Sequence, residues 1–127
     1  MRNRWNDDEA KDLDAMGLLV YSSRLLGAEP DLVLWGGGNT SVKRLERDFR
    51  GRETRVLRVK GSGSDLKTIE PKHFSGIRLE DLDPLHQRDS MTDDEMVAYL
   101  AHTLMEPGSA RPSIETLLHG FVPHTFI

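Results

Sequence analysis

The sequence predicts an α/β layered domain built on an at least partly antiparallel sheet. Three observations predict it. Helical apolar spacing occupies both ends of the chain, strand-like runs fill its middle, and glycine- and serine-rich loops stand where those runs stop. A length of 127 residues supports one domain with a modest core.

Asp7 and Asp8 are expected to cap a first helix. Its apolar positions include Leu13, Met16, Leu19, Val20 and Tyr21, spaced three and four apart on one face. Gly27 ends it, with Pro30 just beyond. Leu32–Val33–Leu34–Trp35 reads as a strand feeding a glycine turn, with Thr40–Ser41–Val42–Lys43 as its hairpin partner. Thr54 to Lys60 reads as another strand, ending in Gly61–Ser62–Gly63–Ser64. Leu45 to Glu53 is the expected surface turn between strands, with Gly51 at its tip. Pro71 to Gln87 suggests a strand and then an irregular connection. Thr92–Asp93–Asp94–Glu95 has the capping-box pattern, opening a helix through Met96, Val97, Leu100 and Leu104 that Pro107–Gly108 terminates. Ser113 is the expected N-cap of a last helix carrying Glu115 and His119. The apolar ending Pro123–His124–Thr125–Phe126–Ile127 reads as a strand cut in mid-course. Residues 1–127 are therefore expected to be part of a longer protein.

Charge excludes several classes of function. The net charge is -4, whereas a sequence-independent nucleic-acid binder needs a dominant basic face. Arg44, Arg47, Arg50, Arg52, Arg55 and Arg58 form the one basic stretch, but Glu46, Asp48 and Glu53 interleave it. A solvated hairpin explains that pattern. The absence of cysteine removes disulfides, thiolate metal sites and a cysteine nucleophile. The N-terminus turns acidic at Asp7 and Asp8, where a signal peptide would turn apolar. No apolar run approaches the roughly 20 residues of a membrane span. The expectation is a soluble, cytoplasmic protein that engages neither nucleic acid nor membrane.

Chemistry concentrates in two loops and one helix start. Gly36–Gly37–Gly38–Asn39–Thr40–Ser41 and Gly61–Ser62–Gly63–Ser64 can present consecutive backbone N–H groups to an anion, because glycine allows positive φ and close approach. Asn39, Ser41, Ser62 and Ser64 add neutral donors, and Ser113 adds another at a helix N-terminus. The loops read either as a site for phosphate or a similar oxyanion or as ordinary tight turns, which use the same residues. Nucleotide motifs fail: Gly36–Lys43 lacks the Gly-Lys-Ser/Thr ending, and Leu66 stands where a dinucleotide loop needs its third glycine. Glu115 and His119 share a helix face four residues apart. They read either as a surface pair or with Glu115 as a proton-transfer carboxylate beside the phosphate loops. His73, His86 and His102 show no ligand spacing.

Gly38–Asn39–Thr40–Ser41, Gly61–Ser62–Gly63 and Ser113–Ile114–Glu115–Thr116–Leu117–Leu118–His119 resemble, in order, the three site motifs of the class II aldolase/adducin family. The longer segments Leu34–Lys43 and Val59–Leu66 look closer still to the N-terminal aldolase part of bifunctional rhamnulose-1-phosphate aldolase/short-chain dehydrogenase proteins. The resemblance runs from about Trp5 to the end of the chain. It implies an α/β/α sandwich around a largely antiparallel sheet, of which residues 1–127 are the N-terminal portion, C-terminally truncated. It also implies a homotetramer and reversible cleavage of a phosphorylated ketose to dihydroxyacetone phosphate and an aldehyde. Gly38, Asn39, Ser41, Ser62, Gly63 and Ser113 would bind the phosphorylated sugar, with Glu115 as the acid/base. Zinc, or another divalent metal, would polarise the carbonyl.

Two departures stand out. Ile114 replaces a serine that the family often carries before its glutamate. The family's zinc-binding histidines, a His-x-His pair and a later His, do not lie in this sequence, so the expectation is half a site and an inactive polypeptide. A non-catalytic adducin-like scaffold and an epimerase or decarboxylase on the same fold are the alternative readings.

Overall fold

The computed structural model describes all residues, Met1–Ile127. Helices α1 (Asp7–Ala10) and α2 (Ala15–Gly27) precede strands β1 (Ser41–Arg47), β2 (Glu53–Lys60) and β3 (Phe74–Arg78); α3 (Asp93–His102) and α4 (Thr116–Phe121) follow. Short 3-10 turns at Leu66–Thr68, Pro71–His73 and Leu79–Gln87 link them.

The three strands pair antiparallel in the order β1-β2-β3. Ser41 lies opposite Val59, and Leu57 opposite Ile77. Both edges are covered by short extended pieces. Thr125–Ile127 bonds to β1 through Ser41 N–H to Ile127 O (2.8 Å) and Lys43 N–H to Thr125 O (2.8 Å). On the other side, Arg78 N–H donates to Thr103 O (2.9 Å) and Met105 N–H to Gly76 O (2.8 Å). No long unpaired edge remains to template aggregation.

Strand alternation sends side chains to two separate cores. Leu57, Val59 and Ile77 pack under Leu79, Leu82, Leu85 and Leu100, with Leu117 of α4 against them. Val42 and Phe74, on the opposite face, meet Leu19 and Val20 of α2 together with Leu66 and Ile69. The result is an α/β/α sandwich around an antiparallel sheet. Close approach of α2 to the Leu66–Thr68 turn depends on Gly27, where a Cβ would lie 2.3 Å from Lys67 N.

Several expected elements differ. The first helix is interrupted at residues 11–14, and Asp14 caps α2 anew by accepting from Gly17 N–H at 2.8 Å. Asn6, not Asp7 or Asp8, caps α1 through Asp8 N–H. Leu32–Trp35 is not a strand. It is a run of turns with Leu34 81% and Trp35 89% exposed, because the β1 edge it would have joined is taken by residues 125–127. Instead β1 extends to Arg47 and pairs with β2, shrinking the turn to Asp48–Arg52. Gly51 sits at its tip with φ +77°, and Asp48 accepts from the N–H groups of Arg50 and Arg52. The arginines there pair with acids: Arg58 holds both Glu46 (2.6 Å) and Glu106 (2.7 Å). The capping box at Thr92 and Glu95 is present. Its helix ends at His102, and Leu104 passes into the extended edge segment.

Candidate functional site

The glycine loops and the approach to α4 meet at the ends of β1 and β2. The first loop carries positive φ at Gly36 (+75°) and Gly38 (+73°). At Gly38 the backbone lies close over the core, since a Cβ would come within 2.7 Å of Leu66 Cδ1. Asn39 follows and reaches across to the segment before α4. Its Nδ2 donates to Ser113 Oγ (2.6 Å) and to Glu115 Oε2 (3.4 Å). Asn39 Oδ1 is buried and has no partner. An unpaired buried acceptor of this kind is uncommon and is the ordinary mark of a place for a ligand or water donor.

The second loop is held by backbone. Gly61 forms an antiparallel bridge with Pro112, Ser62 N–H donates to Arg111 O (2.9 Å), and Gly61 N–H donates to His73 O (2.9 Å). Close contact at Gly61 requires glycine: a Cβ there would lie 2.6 Å from Ala110 Cβ. Ser62 and Gly63 lie exposed past the bridge, Gly63 with φ +88°. The bridge joins the second loop to Ser113, and Asn39 joins Ser113 to the first loop. The two loops and the segment before α4 thus share one rim, on which Asn39, Ser113 and Glu115 are in direct contact.

Ser41, expected among the phosphate donors, stands apart. It is fully buried, and its Oγ lies 2.8 Å from His119 Nδ1. Strand alternation explains this: Ser41 points to the α4 side of the sheet, as do Leu57 and Val59. Ser64 likewise turns inward, donating to Gly61 O (3.2 Å). Ser113 is not the helix cap; Glu115 occupies that position, two residues later.

Electrostatics single out one carboxylate. Glu115 is held below the usual carboxylate range, chiefly by its own backbone N–H, then by the Ser113 and Asn39 side chains and the charge of Lys60, against an opposing cost of burial. It is ionised at neutral pH. Lys60 is 5% exposed with Nζ 3.5 Å from Gly36 O. Burial lowers its pKa, while Glu115 and Asp65 pull the other way. Burial also lowers His119, with Lys43 adding to the effect and Glu115 opposing it. Glu115 and His119 do not form a pair: one faces the rim and the other binds Ser41.

Sequence reasoning missed Lys60 and the Ser41–His119 contact. Alternation puts Lys60 on the face of Val56 and Arg58, but a charged residue at a strand end reads as solvent-exposed, so its burial left no mark in the sequence. Nor do these residues fit a metal. No three His, Asp or Glu side chains converge, and the ring nitrogen Nδ1 of His119 is committed to Ser41.

A three-layer sandwich thus brings two glycine loops and one ionised carboxylate together at the ends of β1 and β2. Residues 18–125 match the model of the class II aldolase and adducin N-terminal domain, and the chain belongs to that family. It is 48% identical over 128 residues to the protein described as uncharacterized oxidoreductase YuxG of Bacillus subtilis (strain 168), covering all of this chain and 19% of that one. The N-terminal class II aldolase domain of a conserved protein from Thermoplasma acidophilum aligns at 51% identity with a TM-score of 0.93, over 99% of this chain and 58% of that chain.

Proposed function

We propose that this chain supplies the phosphate-binding and acid/base half of an aldolase site. The reaction is the reversible cleavage of a phosphorylated, rhamnulose-1-phosphate-like ketose to dihydroxyacetone phosphate and an aldehyde. The observation that carries the reading is the meeting of Asn39, Ser113 and Glu115 within 3.4 Å, with Asn39 Oδ1 left unpartnered. Gly38, Ser62, Gly63 and Ser113 offer neutral donors to the phosphate, and Asn39 Oδ1 can accept from a substrate hydroxyl. Ser41 is not among the donors in this reading, because its hydroxyl is spent on His119.

Glu115 enters as a proton acceptor because it rests ionised. In the condensation direction it takes a proton from the carbon beside the carbonyl; in cleavage it returns that proton. Asn39 restrains one carboxylate oxygen, and Lys60 behind it favours the charged form. Metal ligands come from outside these residues. The reading includes a cytoplasmic parent that assembles as a homo-oligomer and carries a dehydrogenase part; the description of the Bacillus subtilis relative as an oxidoreductase, of which this chain spans 19%, supports the latter.

The test is Glu115→Gln in the full-length parent. Aldol cleavage should fall by about 10²- to 10⁴-fold, the usual contribution of a positioned acid/base, with phosphate binding retained. Cleavage at the wild-type rate would make the assignment wrong.

A further inference from the structure

We infer that Arg111 is the charged member of the phosphate site and makes it selective for dianionic, phosphorylated ligands. The inference rests on the phosphate reading above and goes beyond it, because every donor named so far is neutral.

The backbone places Arg111 at the rim. The bridge between Gly61 and Pro112, with Ser62 N–H bonded to Arg111 O, sets Ser62 and Arg111 directly opposite each other on antiparallel segments. Side chains so placed have Cβ atoms about 4.5–5.5 Å apart, well within the reach of a guanidinium. Ser75 Oγ donates to the neighbouring Ala110 O and anchors the same segment to β3. Ser62, Arg111 and Ser113 line one cavity of about 360 Å³ together with Met96, Leu100 and Leu104. Apolar lining strengthens the field of a cation beside it.

Arg111 is also uncommitted. Arg58 is bound to two glutamates, and Arg78 is bound to Asp81 and two backbone carbonyls. The exposed Arg111 side chain has no ion pair and no hydrogen bond. Lys60, a cation beside the first loop, is buried at Gly36 O and faces Glu115. It balances the carboxylate. A dianion arriving at Ser62 and Ser113 therefore meets a free guanidinium, which can bind two phosphate oxygens at once.

Inorganic phosphate and unphosphorylated dihydroxyacetone are the probes, followed through the amide signals of Gly63 and Ser113 in wild type, Ser62→Ala, Arg111→Gln and Arg111→Lys. Arg111→Gln should weaken phosphate by about tenfold or more, Arg111→Lys should keep part of the affinity, and dihydroxyacetone should be unaffected by either. Wild-type phosphate affinity in Arg111→Gln, with binding lost in Ser62→Ala, overturns the role of Arg111 and leaves the phosphate rim standing. Equal weakening of both probes also overturns it, since that would be a structural effect. No phosphate binding by the wild type overturns the phosphate reading and the role of Arg111 with it.

Discussion

The two glycine loops look alike in sequence but are held by different forces. Gly61–Ser64 is fixed by backbone hydrogen bonds on both sides, to His73 and to Arg111. In Gly36–Ser41 backbone bonds hold only the two ends, Gly37 N–H to Leu34 O (2.9 Å) at one and Lys60 N–H to Thr40 O (3.1 Å) with Ser41 N–H to Ile127 O (2.8 Å) at the other, and side chains supply the remaining ties. Asn39 grips Ser113, Thr40 bonds Ser23 Oγ (2.7 Å), and Ser41 bonds His119. A ladder tolerates many side chains but no added bulk. A loop held by side chains is the reverse: each residue is specific, and the backbone between anchors is looser.

That contrast can be broken by substitution, and the largest effect belongs at the ladder. Gly61→Val should destabilise by about 2–3 kcal/mol, because its Cβ meets Ala110 Cβ and His73 O in a packed site. Thermal unfolding measures it. A loss no greater than that of the next variant would show that the ladder is not the tighter of the two.

Gly38→Ala should cost about 1–2 kcal/mol, mostly from the left-handed backbone. Its steric partner, Leu66 Cδ1, is the end of a flexible side chain and can move. Denaturant titration beside Gly61→Val gives the comparison directly.

His119 supplies a pH test of the side-chain anchors. Its folded pKa is lowered by burial, so the unfolded chain binds the proton more readily. The contribution of His119 is complete above the unfolded value of about 6.5 and is lost as pH falls through the folded value. Melting curves from about pH 7.5 to about pH 5 should show a decline that is smaller in His119→Gln. An identical decline in the variant would assign it to other groups. The smallest effect is expected at Trp35→Ser: a side chain 89% exposed should change stability by less than about 0.5 kcal/mol. A larger loss would show that the loop is anchored through Trp35 as well.

Much of this was legible in the residues. Strand β2, the Thr92 capping box and the turn at Gly51 follow from local pattern, because β-branched residues, caps and glycine act over a few positions. Leu32–Trp35 has the pattern of a strand without being one, since an apolar run becomes a strand only where an edge is open to receive it. The break before Asp14 was missed because apolar spacing continues across it, while the cap competes with the helix locally. At the site, glycines and hydroxyls could be found by composition, but which hydroxyls face the rim could not. Ser41 and Ser62 look equivalent in sequence; one is buried against His119 and the other is exposed.

The sequence by itself determined the α/β class, the two glycine loops and the position of the carboxylate, since these depend on interactions spanning a few residues. Only the tertiary structure decided that Asn39 meets Ser113 and Glu115, that Lys60 lies buried beside the first loop, and that Arg111 stands opposite Ser62. The pairs Asn39–Ser113 and Ser62–Arg111 are separated by 49 residues or more. Their meeting is set by strand register and by which sheet edge is filled, and neither leaves a mark in local periodicity.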